Sequence, residues 1–410
     1  MFSKFHETSL LLLVFIAAML AVGLYILGAS FLAAPISMGD VTISKSLAGL
    51  AKDSLFKPLK PLMYALIIMS IGSSIAISRG GLGAKFIRIL SFMLLFSVIG
   101  AIVAIIAFNL FPSISIFPEA SSVALASGKK IMQIPFTVKM YGVLTSPLMI
   151  SIYAGVLLGG ALTRAGLGRD ADKVSDIFMN GFRKFLQFTI PLAVFGSITL
   201  ALNAEGGVDK FKALLPLVPV YVGGMIIVWI IMIAATTVIL KQSVGFLMRA
   251  LLPQALVALS TSSSIATLPA TKIACDDMGA NGDESTPFIT IGATINMVGT
   301  MMSLLLLSLY AMKAYGIDAS IGDQIVVGMQ SLLYSAATAA VPSASIVLLQ
   351  EILTSQSVSA EYATYVTGLI ITLDTLVLDR VRTMLNTQSD SMSTVNGLHT
   401  YYKRPAILPD

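Results

Sequence analysis

The chain has 410 residues, of which 56% are hydrophobic and only 11% charged, and its mean hydropathy is +0.89. Soluble domains average about 25% charged residues, so this composition excludes an ordinary soluble enzyme, a nucleic-acid-binding protein and a disordered chain. The formal net charge is +5. One cysteine, Cys275, and two histidines near the ends, His6 and His399, exclude an intramolecular disulfide and a cysteine- or histidine-built metal centre.

Long apolar segments recur along the first 240 residues of the chain. A bilayer core needs about 20 apolar residues for each spanning helix. The first segment, 9–34, is too long for a cleaved signal peptide and is predicted to be a retained helix. The other candidate helices are 56–78, 86–112, 130–163, 177–203 and 211–240. Unbroken apolar runs predict an all-α polytopic membrane protein and argue against a barrel, whose strands alternate over about 10 residues.

Basic residues are concentrated in alternate loops. They lie at 79–88 between the second and third helices, at 164–184 between the fourth and fifth, and at 241–249 after the sixth. The intervening loops, 35–55 and 204–212, are balanced in charge. Because cytoplasmic loops carry the excess of lysine and arginine, this pattern predicts a cytoplasmic N-terminus. The basic C-terminal tail fits a cytoplasmic C-terminus as well.

From about residue 245 the apolar runs are interrupted by polar clusters, such as LSTSSSIATLP and SAATAAVPSASI. Short apolar arms around a polar turn predict a re-entrant hairpin, since non-helical backbone at membrane depth must be covered by protein or face water. Two hairpins, each followed by a helix, form a repeated unit: 246–281, 286–313, 321–356 and 361–395. Paired broken segments of this kind indicate a transporter site near the midplane of the membrane.

The last predicted helix carries a polar stripe. With Asp379 at zero and about 100° per residue, five further polar residues fall with it in one arc of about 100°. These residues are Arg382, Thr383, Asn386, Asp390 and Ser393. Asp374 is expected to point away, at about 220°. A charge at bilayer depth marks a functional site by default. One guanidinium and two carboxylates suit a zwitterion with an extra negative group, together with a cation; the alternative is a structural stripe that joins helices.

Three motifs, LSTSSSIATLP, GATINMVGT and LDRVRTMLNTQSD, resemble the signatures of the glutamate/aspartate transporter family of dicarboxylate/amino acid:cation symporters. The stretch KPLKPLMYALIIMSIGSS is a weaker match to the family's second helix. The resemblance implies eight transmembrane helices, two re-entrant hairpins and inverted repeats in a homotrimer. The first, second, fourth and fifth helices would form a fixed scaffold. The third and sixth helices, with 245–395, would carry the cargo as an elevator.

The same resemblance implies the cargo contacts. They fall on Ser262, Ser263, Ser264, Thr300, Val341, Pro342, Asp379, Arg382, Thr383 and Asn386. Arg382 would hold the side-chain carboxylate of an acidic amino acid, because its planar fork matches a carboxylate. Asp379 would accept a hydrogen bond from the cargo ammonium, and the serines of the first hairpin would contact the α-carboxylate. Arg380, beside the stripe, is predicted to pair with nearby carboxylates.

The resemblance also implies two sodium sites, and sodium as the coupling ion. The first comprises Gly292, Asn296, Asn386 and Asp390. The second comprises Thr294, Met297, Ser335, Ala336 and Thr338. Oxygen ligands of this kind suit a hard cation. No organic cofactor is expected.

A third sodium site of the family normally uses an acid where this chain has Val298, and polar partners where it has Met93, Phe96 and Ser97. We therefore expect that site to be missing. Leu304 stands where potassium-antiporting members carry a glutamate, so potassium countertransport is not expected.

Alternatives remain open for cargo and coupling ion. The same fold could carry a C4-dicarboxylate or a neutral amino acid, or use protons in place of sodium. Asp379 argues against a plain dicarboxylate, which has no ammonium, and Arg382 argues against a neutral cargo, since an unmatched buried guanidinium is costly. An ion channel or a membrane enzyme is the remaining class, and no nucleophile–base pair or phosphate loop supports an enzyme. The expected partners are a small acidic amino acid, membrane lipid and two further copies of the chain, with no nucleic acid.

Overall fold

The computed structural model describes residues 2–29, 32–38, 41–77, 84–112, 141–142, 144–203, 212, 214–280, 282–336, 338 and 345–399. These residues are predominantly helical, which confirms the predicted class. One short antiparallel ribbon, β1 (Pro35–Met38) with β2 (Val41–Ser46), was not predicted and lies in what was expected to be a loop. Of the five loops on which the orientation was argued, 35–55, 79–88 and 204–212 include residues outside the described ranges, and the orientation stays a prediction.

The first half of the described chain contains α1 (Phe2–Ile26), α2 (Leu47–Ile77), α3 (Ala84–Leu110), α4 (Pro147–Arg164), α5 (Gly168–Asn203) and α6 (Leu217–Leu240). The second half contains α7 (Val244–Thr261), α8 (Ser264–Asp277), α9 (Gly282–Ile295), α10 (Val298–Ala314), α11 (Ile321–Ser335), α12 (Ser345–Ser355) and α13 (Ala360–Leu373). A π turn (Asp374–Leu378) then leads into α14 (Asp379–Leu398).

Serine side chains define several helix starts. Ser146, Ser243 and Ser359 adopt extended backbone and each accepts a hydrogen bond from the backbone N–H three residues later. Ser320 forms a reciprocal capping box with Asp323 at the start of α11. An N-cap of this kind satisfies one of the N–H groups that a helix start leaves without an internal partner. At the other end, α6 stops at Lys241, whose left-handed backbone (φ 55°) ends the helix.

The helices pack in two groups. Helices α1, α2, α4 and α5 pack against one another. Helices α3 and α6 pack instead against α10 and α14. Every residue of α10 from Val298 to Met312 is buried, and α14 is buried almost continuously from Leu385 to Leu398. These two helices therefore form the centre of the second group, although α14 is polar.

Several described helices are long and apolar enough to cross a membrane. Within the described residues these are Lys85–Leu110, Leu217–Leu240, Val244–Thr261 and Ser285–Ala314. A bent pair, Ala360–Ile371 and Asp374–Leu398, makes a fifth candidate, with an angle of 47° at the break. The chain thus has the helices of a multi-pass membrane protein. The number of eight helices and the re-entrant character of the hairpins stay predictions.

The predicted segments differ from the observed ones mainly at their ends. The first helix ends at Ile26 rather than near 34. Just after its end, Gly28 takes a left-handed turn (φ 75°). The sixth helix begins at Leu217 rather than at 211, after the turn that ends at Pro216. Most of the long fourth segment before Pro147 lies outside the described residues, as do Val341 and Pro342 at the expected tip of the second hairpin.

Candidate functional site

Three interruptions of helical backbone adjoin α14. The first is the turn at Ser262 and Ser263 between α7 and α8, and the second is the break at Asn296 and Met297 between α9 and α10. The third is the π turn that precedes α14. Helices α7, α8, α9 and α10 all pack against α14. Each interruption releases backbone groups from the regular ladder, which is typical of ligand sites in membrane helices.

Arg382 lies at the centre of a buried charge cluster. Its Nη1 is 2.9 Å from Asp374 Oδ1 and its Nη2 is 3.3 Å from Asp374 Oδ2, so the two side chains meet as a bidentate pair. Its Nε donates to Asp379 Oδ1 at 3.1 Å, and Nη2 contacts the same oxygen. Nη1 also donates to Ser303 Oγ at 3.2 Å. Each nitrogen of the guanidinium therefore has at least one partner within the protein.

The position of Asp374 corrects the helical-wheel prediction, which turned this residue away from the stripe. The reason is the π turn: the N–H of Asp379 bonds to the carbonyl of Asp374, five residues earlier. Because a π turn contains more residues than an α turn, residues before it fall out of phase with the regular α-helical period. The shift brings the Asp374 side chain, which is fully buried, onto the fork of Arg382.

Helix α10 crosses α14 at Gly299 and Arg382. A Cβ atom added to Gly299 would lie 3.1 Å from Arg382 Cα, so only glycine permits this approach. The Oδ1 atom of Asn386 accepts hydrogen bonds from the N–H groups of Gly299 (2.7 Å) and Thr300 (3.2 Å). Its Nδ2 donates to Thr300 Oγ1 at 3.0 Å. Asn386 thus caps the start of α10, so sodium or cargo would have to share its oxygen with these donors.

Asp390 is a buried carboxylate that packs closely against Gly292. Its Oδ1 accepts a hydrogen bond from Asn296 Nδ2 at 2.8 Å, and the same Nδ2 lies 3.0 Å from Ser389 Oγ. Across the described part of the chain, no lysine or arginine forms an ion pair with Asp390. A Cβ added to Gly292 would lie 2.8 Å from Asp390 Oδ1. A buried carboxylate without a basic partner is costly unless a cation or a proton neutralises it.

The serines of the first turn are all buried. Ser262 has left-handed backbone (φ 50°), and its Oγ is a buried hydroxyl that has no hydrogen-bond partner among the described residues. Ser263 caps α8 by accepting from the N–H of Ala266 at 3.3 Å. Ser264 is the first residue of α8. Left-handed backbone and a buried hydroxyl of this kind are typical of ligand-binding positions.

The predicted second sodium site draws on two separate places in the fold. Thr294 and Met297 flank the break between α9 and α10. Ser335, Ala336 and Thr338 lie at the C-terminal end of α11, where the N–H of Thr338 bonds to the carbonyl of Ser335 at 3.0 Å. The second sodium site stays a prediction. Thr383 is buried on α14, as the stripe requires.

Apolar side chains stand at most of the positions where the resemblance puts the family's third sodium site, which stays a prediction. Val298, Met93 and Phe96 are buried. The Met93 Cε atom lies 3.0 Å from where a Cβ on Gly292 would stand, close to the Asp390 carboxylate. Thioether and hydrocarbon groups are poor ligands for sodium.

Arg380 binds backbone carbonyls on two neighbouring segments. Its Nη1 donates to the carbonyls of Leu259 (2.6 Å) and Ser260 (3.1 Å) at the end of α7, and its Nε donates to that of Leu376 (3.1 Å) in the π turn. A cation at a helix C-terminus is favourable because it satisfies free carbonyls and opposes the helix dipole. Arg380 therefore ties the first turn to the π turn, a role that the sequence did not indicate.

A glutamine clamp formed by the side chain of Gln254 was not predicted from the sequence. Gln254 Nε2 donates to Thr271 Oγ1 (2.9 Å) and to the carbonyl of Thr387 (2.6 Å), and its Oε1 accepts from Ser391 Oγ (3.0 Å). One side chain thereby joins α7, α8 and α14. The signal was a lone glutamine in the apolar arm 246–258. Nearby, the indole of Trp229 on α6 donates to Gln388 of α14.

The chain is similar to known membrane transporters over most of its length. The family model for the sodium:dicarboxylate symporter family matches residues 10–396. A serine/threonine transporter of Bifidobacterium adolescentis is 24% identical over 365 residues, covering 86% of this chain and 84% of its own length. One from Streptococcus thermophilus is 23% identical over 366 residues, covering 87% and 90%. A putative sodium-dependent excitatory amino acid transporter of Caenorhabditis elegans is 36% identical over 140 residues, covering 34% and 27%.

Proposed function

The chain belongs to the sodium:dicarboxylate symporter family, and we propose that it couples sodium entry to the uptake of an acidic amino acid, aspartate or glutamate. As a member of a family of symporters, it is a multi-pass membrane transporter. The choice of cargo and the stoichiometry are our proposals. They rest on the buried charges of α14.

The observation that carries sodium coupling is Asp390. Its carboxylate is 1% exposed and, within the described residues, lacks a basic partner. Gly292 lies against one of its oxygens, so closely that an added Cβ would be 2.8 Å from Oδ1. Carboxylate and backbone oxygens are the ligands of hard cations. A bound sodium ion would neutralise Asp390, and its binding would thereby stabilise this part of the transporter.

The cargo assignment rests on Arg382 and Asp379. A zwitterionic amino acid brings an ammonium, for which Asp379 is an acceptor, and an α-carboxylate, for which Ser262 Oγ is a donor without a partner among the described residues. An acidic side chain adds a second carboxylate, and the bidentate fork of Arg382 matches it. Thr300, Thr383 and the tip residues Val341 and Pro342 would complete the contacts.

A neutral amino acid is the second candidate. In this structure Arg382 is already paired with Asp374 and Asp379, so its charge is balanced before any cargo binds. The relatives that match most of this chain are serine/threonine transporters by name. If Asp374 stays on the fork during transport, the site would accept a zwitterion without a charged side chain.

Uptake into proteoliposomes tests the proposal. The purified chain is reconstituted, and radiolabelled aspartate, glutamate and serine are offered with an inward gradient of sodium or of choline. We expect aspartate or glutamate uptake that requires sodium and exceeds serine uptake. Serine uptake with sodium, without aspartate uptake, would favour the second candidate. Uptake driven equally well by a proton gradient in choline would overturn sodium coupling.

We further propose that two sodium ions accompany each cargo, because apolar Val298, Met93 and Phe96 stand at the family's third site. Reversal potentials measured in the same vesicles give the ratio of ion to cargo. A ratio of three sodium ions would contradict this proposal. Potassium on the inner side is expected to have no effect, given Leu304.

For the mechanism, we propose that α1, α2, α4 and α5 form a scaffold in a homotrimer and that the remaining elements move as an elevator. The packing of these helices into two groups supports this division. We place both termini in the cytoplasm. Cross-linking mass spectrometry in membranes and labelling of cysteines introduced near the termini would test the trimer and the orientation.

A further inference from the structure

The partners of the Arg382 fork raise a question about how an acidic cargo enters. The guanidinium has five N–H donors, and they serve two oxygens of Asp374, one of Asp379 and the hydroxyl of Ser303. A cargo carboxylate that binds in bidentate fashion must replace one of these partners. The cluster already carries a net charge of −1, so an added carboxylate is also repelled.

Asp374 is the partner that cargo would replace. Both of its oxygens lie on the two terminal nitrogens, which is the bidentate geometry of a cargo carboxylate. Asp379 instead contacts the Nε side of the guanidinium and is one helical turn from Arg382 on the regular helix α14. Asp374 belongs to the π turn, whose backbone geometry differs from that of the helices on either side.

The π turn has its own support. The hydroxyl of Tyr221, a buried residue of α6, donates to the carbonyl of Leu378 at 3.4 Å. Arg380 donates to the carbonyl of Leu376 in the same turn. These contacts hold the turn in the form that presents Asp374 to Arg382. Short π segments inside helices are frequent at functional sites, where a small change of register re-aims side chains.

We propose that Asp374 is a specificity-determining residue: it is a built-in carboxylate that competes with the side-chain carboxylate of the cargo for Arg382. This inference rests on the proposed amino-acid symport. Asp374 on the fork weakens the binding of acidic cargo without affecting neutral cargo, and an acidic cargo binds Arg382 by displacing it. The protein thereby discriminates between cargos by the balance between an internal and an external carboxylate.

The test is the Asp374→Asn variant, which keeps the size of the side chain and removes its charge. If Asp374 competes with cargo, the KM for aspartate should fall by about tenfold in this variant, because a charge-assisted pair on Arg382 becomes available to cargo. The KM for serine should stay unchanged or rise. A purely structural role for Asp374 predicts weaker transport of every cargo. The matched control is Asp318→Asn, which removes an exposed carboxylate outside the site and should behave as the unchanged protein.

A second variant tests the same expectation even if Asp374→Asn does not fold. Tyr221→Phe removes only the hydroxyl that supports the π turn and should lower the KM for aspartate in the same direction, by a smaller factor. Binding can be followed independently of transport through Trp229, the only tryptophan, whose indole contacts Gln388 on α14.

The outcomes separate the two proposals. If both variants retain the aspartate-to-serine preference of the unchanged protein in uptake and in binding, the role of Asp374 is refuted and symport stands. If the unchanged protein shows no sodium-dependent uptake of any amino acid, the proposed function fails; a gain of aspartate binding in Asp374→Asn, read from Trp229, would still support competition at Arg382.

Discussion

Asn296 and Asp390 are joined by a hydrogen bond of 2.8 Å from Nδ2 to Oδ1, which links the break between α9 and α10 to the last helix. Asn296 lies where the backbone leaves the helical ladder, and its amide also contacts Ser389. The carboxylate of Asp390 is therefore oriented by the break itself. A cation bound at Asp390 would act on the segment that also positions Gly299 and Thr300 near Arg382, so the proposed ion and cargo sites share one structural element.

This link predicts that Asp390→Asn removes the sodium dependence of cargo binding. The amide keeps the size of the side chain and removes the charge that a cation would neutralise. Aspartate affinity at saturating sodium should fall by more than about tenfold, because a charged interaction of this kind contributes about 1.5–3 kcal/mol. Calorimetric titration with aspartate at several sodium concentrations, with choline as replacement, measures the effect. Sodium dependence equal to that of the Asp318→Asn control would contradict the prediction.

The close contact between Gly292 and Asp390 gives a steric version of the same test. A methyl group there would come within 2.8 Å of Asp390 Oδ1 and 3.0 Å of Met93 Cε, so Gly292→Ala forces the carboxylate to shift. We expect the sodium concentration for half-maximal binding to rise several-fold while the protein remains folded. The control is Gly223→Ala on α6, where nothing lies within 4 Å of the added Cβ. An unchanged sodium requirement would place the cation elsewhere.

The polar stripe was predictable from the sequence because α14 is a regular helix from Asp379 onward, so a fixed step of about 100° places Arg382, Asn386 and Asp390 on one face. The same step failed for Asp374, since one π turn lies between it and the stripe. Nothing in local composition distinguishes that turn from α-helix. Its phase depends on contacts from other helices, including the Tyr221 hydroxyl on the carbonyl of Leu378.

The role of Asn386 shows a second limit of sequence reasoning. The resemblance assigned its side chain to cargo and sodium, and both assignments stay predictions. The structure adds that its oxygen caps the N–H groups of Gly299 and Thr300 across an interhelix contact. That contact requires the close approach at Gly299, which is a tertiary feature. The clamp by Gln254 has the same origin, since its partners lie on α8 and α14 far along the chain.

The Arg382 cluster predicts a non-additive effect on stability. Arg382→Ala leaves Asp374 and Asp379 buried without their guanidinium, so we expect destabilisation of about 3–5 kcal/mol. The double variant Arg382→Ala, Asp374→Ala removes one of the two stranded carboxylates and should recover part of that loss. The unchanged protein, Arg382→Ala, Asp374→Ala and the double variant complete a double-mutant cycle. Their thermal unfolding is measured in detergent at one pH and sodium concentration. Additive losses would mean that the pair seen in the structure is not energetically coupled.

A last prediction concerns the packing of α2 against α4. A Cβ added to Gly159 would lie 2.7 Å from Ile75 Cβ and 2.9 Å from the carbonyl oxygen of Gly72, so the two backbones touch there without room for a side chain. Close approach through small residues is a main source of helix association in membranes, where lipid removes the hydrophobic driving force. Gly159→Ala should therefore lower the free energy of unfolding by about 1–3 kcal/mol.

The adjacent Gly160 is the matched control, because nothing lies within 4 Å of its added Cβ and Gly160→Ala faces open space. Thermal unfolding of both variants in the same detergent measures the difference. Equal midpoints for the two would show that α2 and α4 can separate at little cost, and the proposed scaffold would then lack the rigid contact on which it is built.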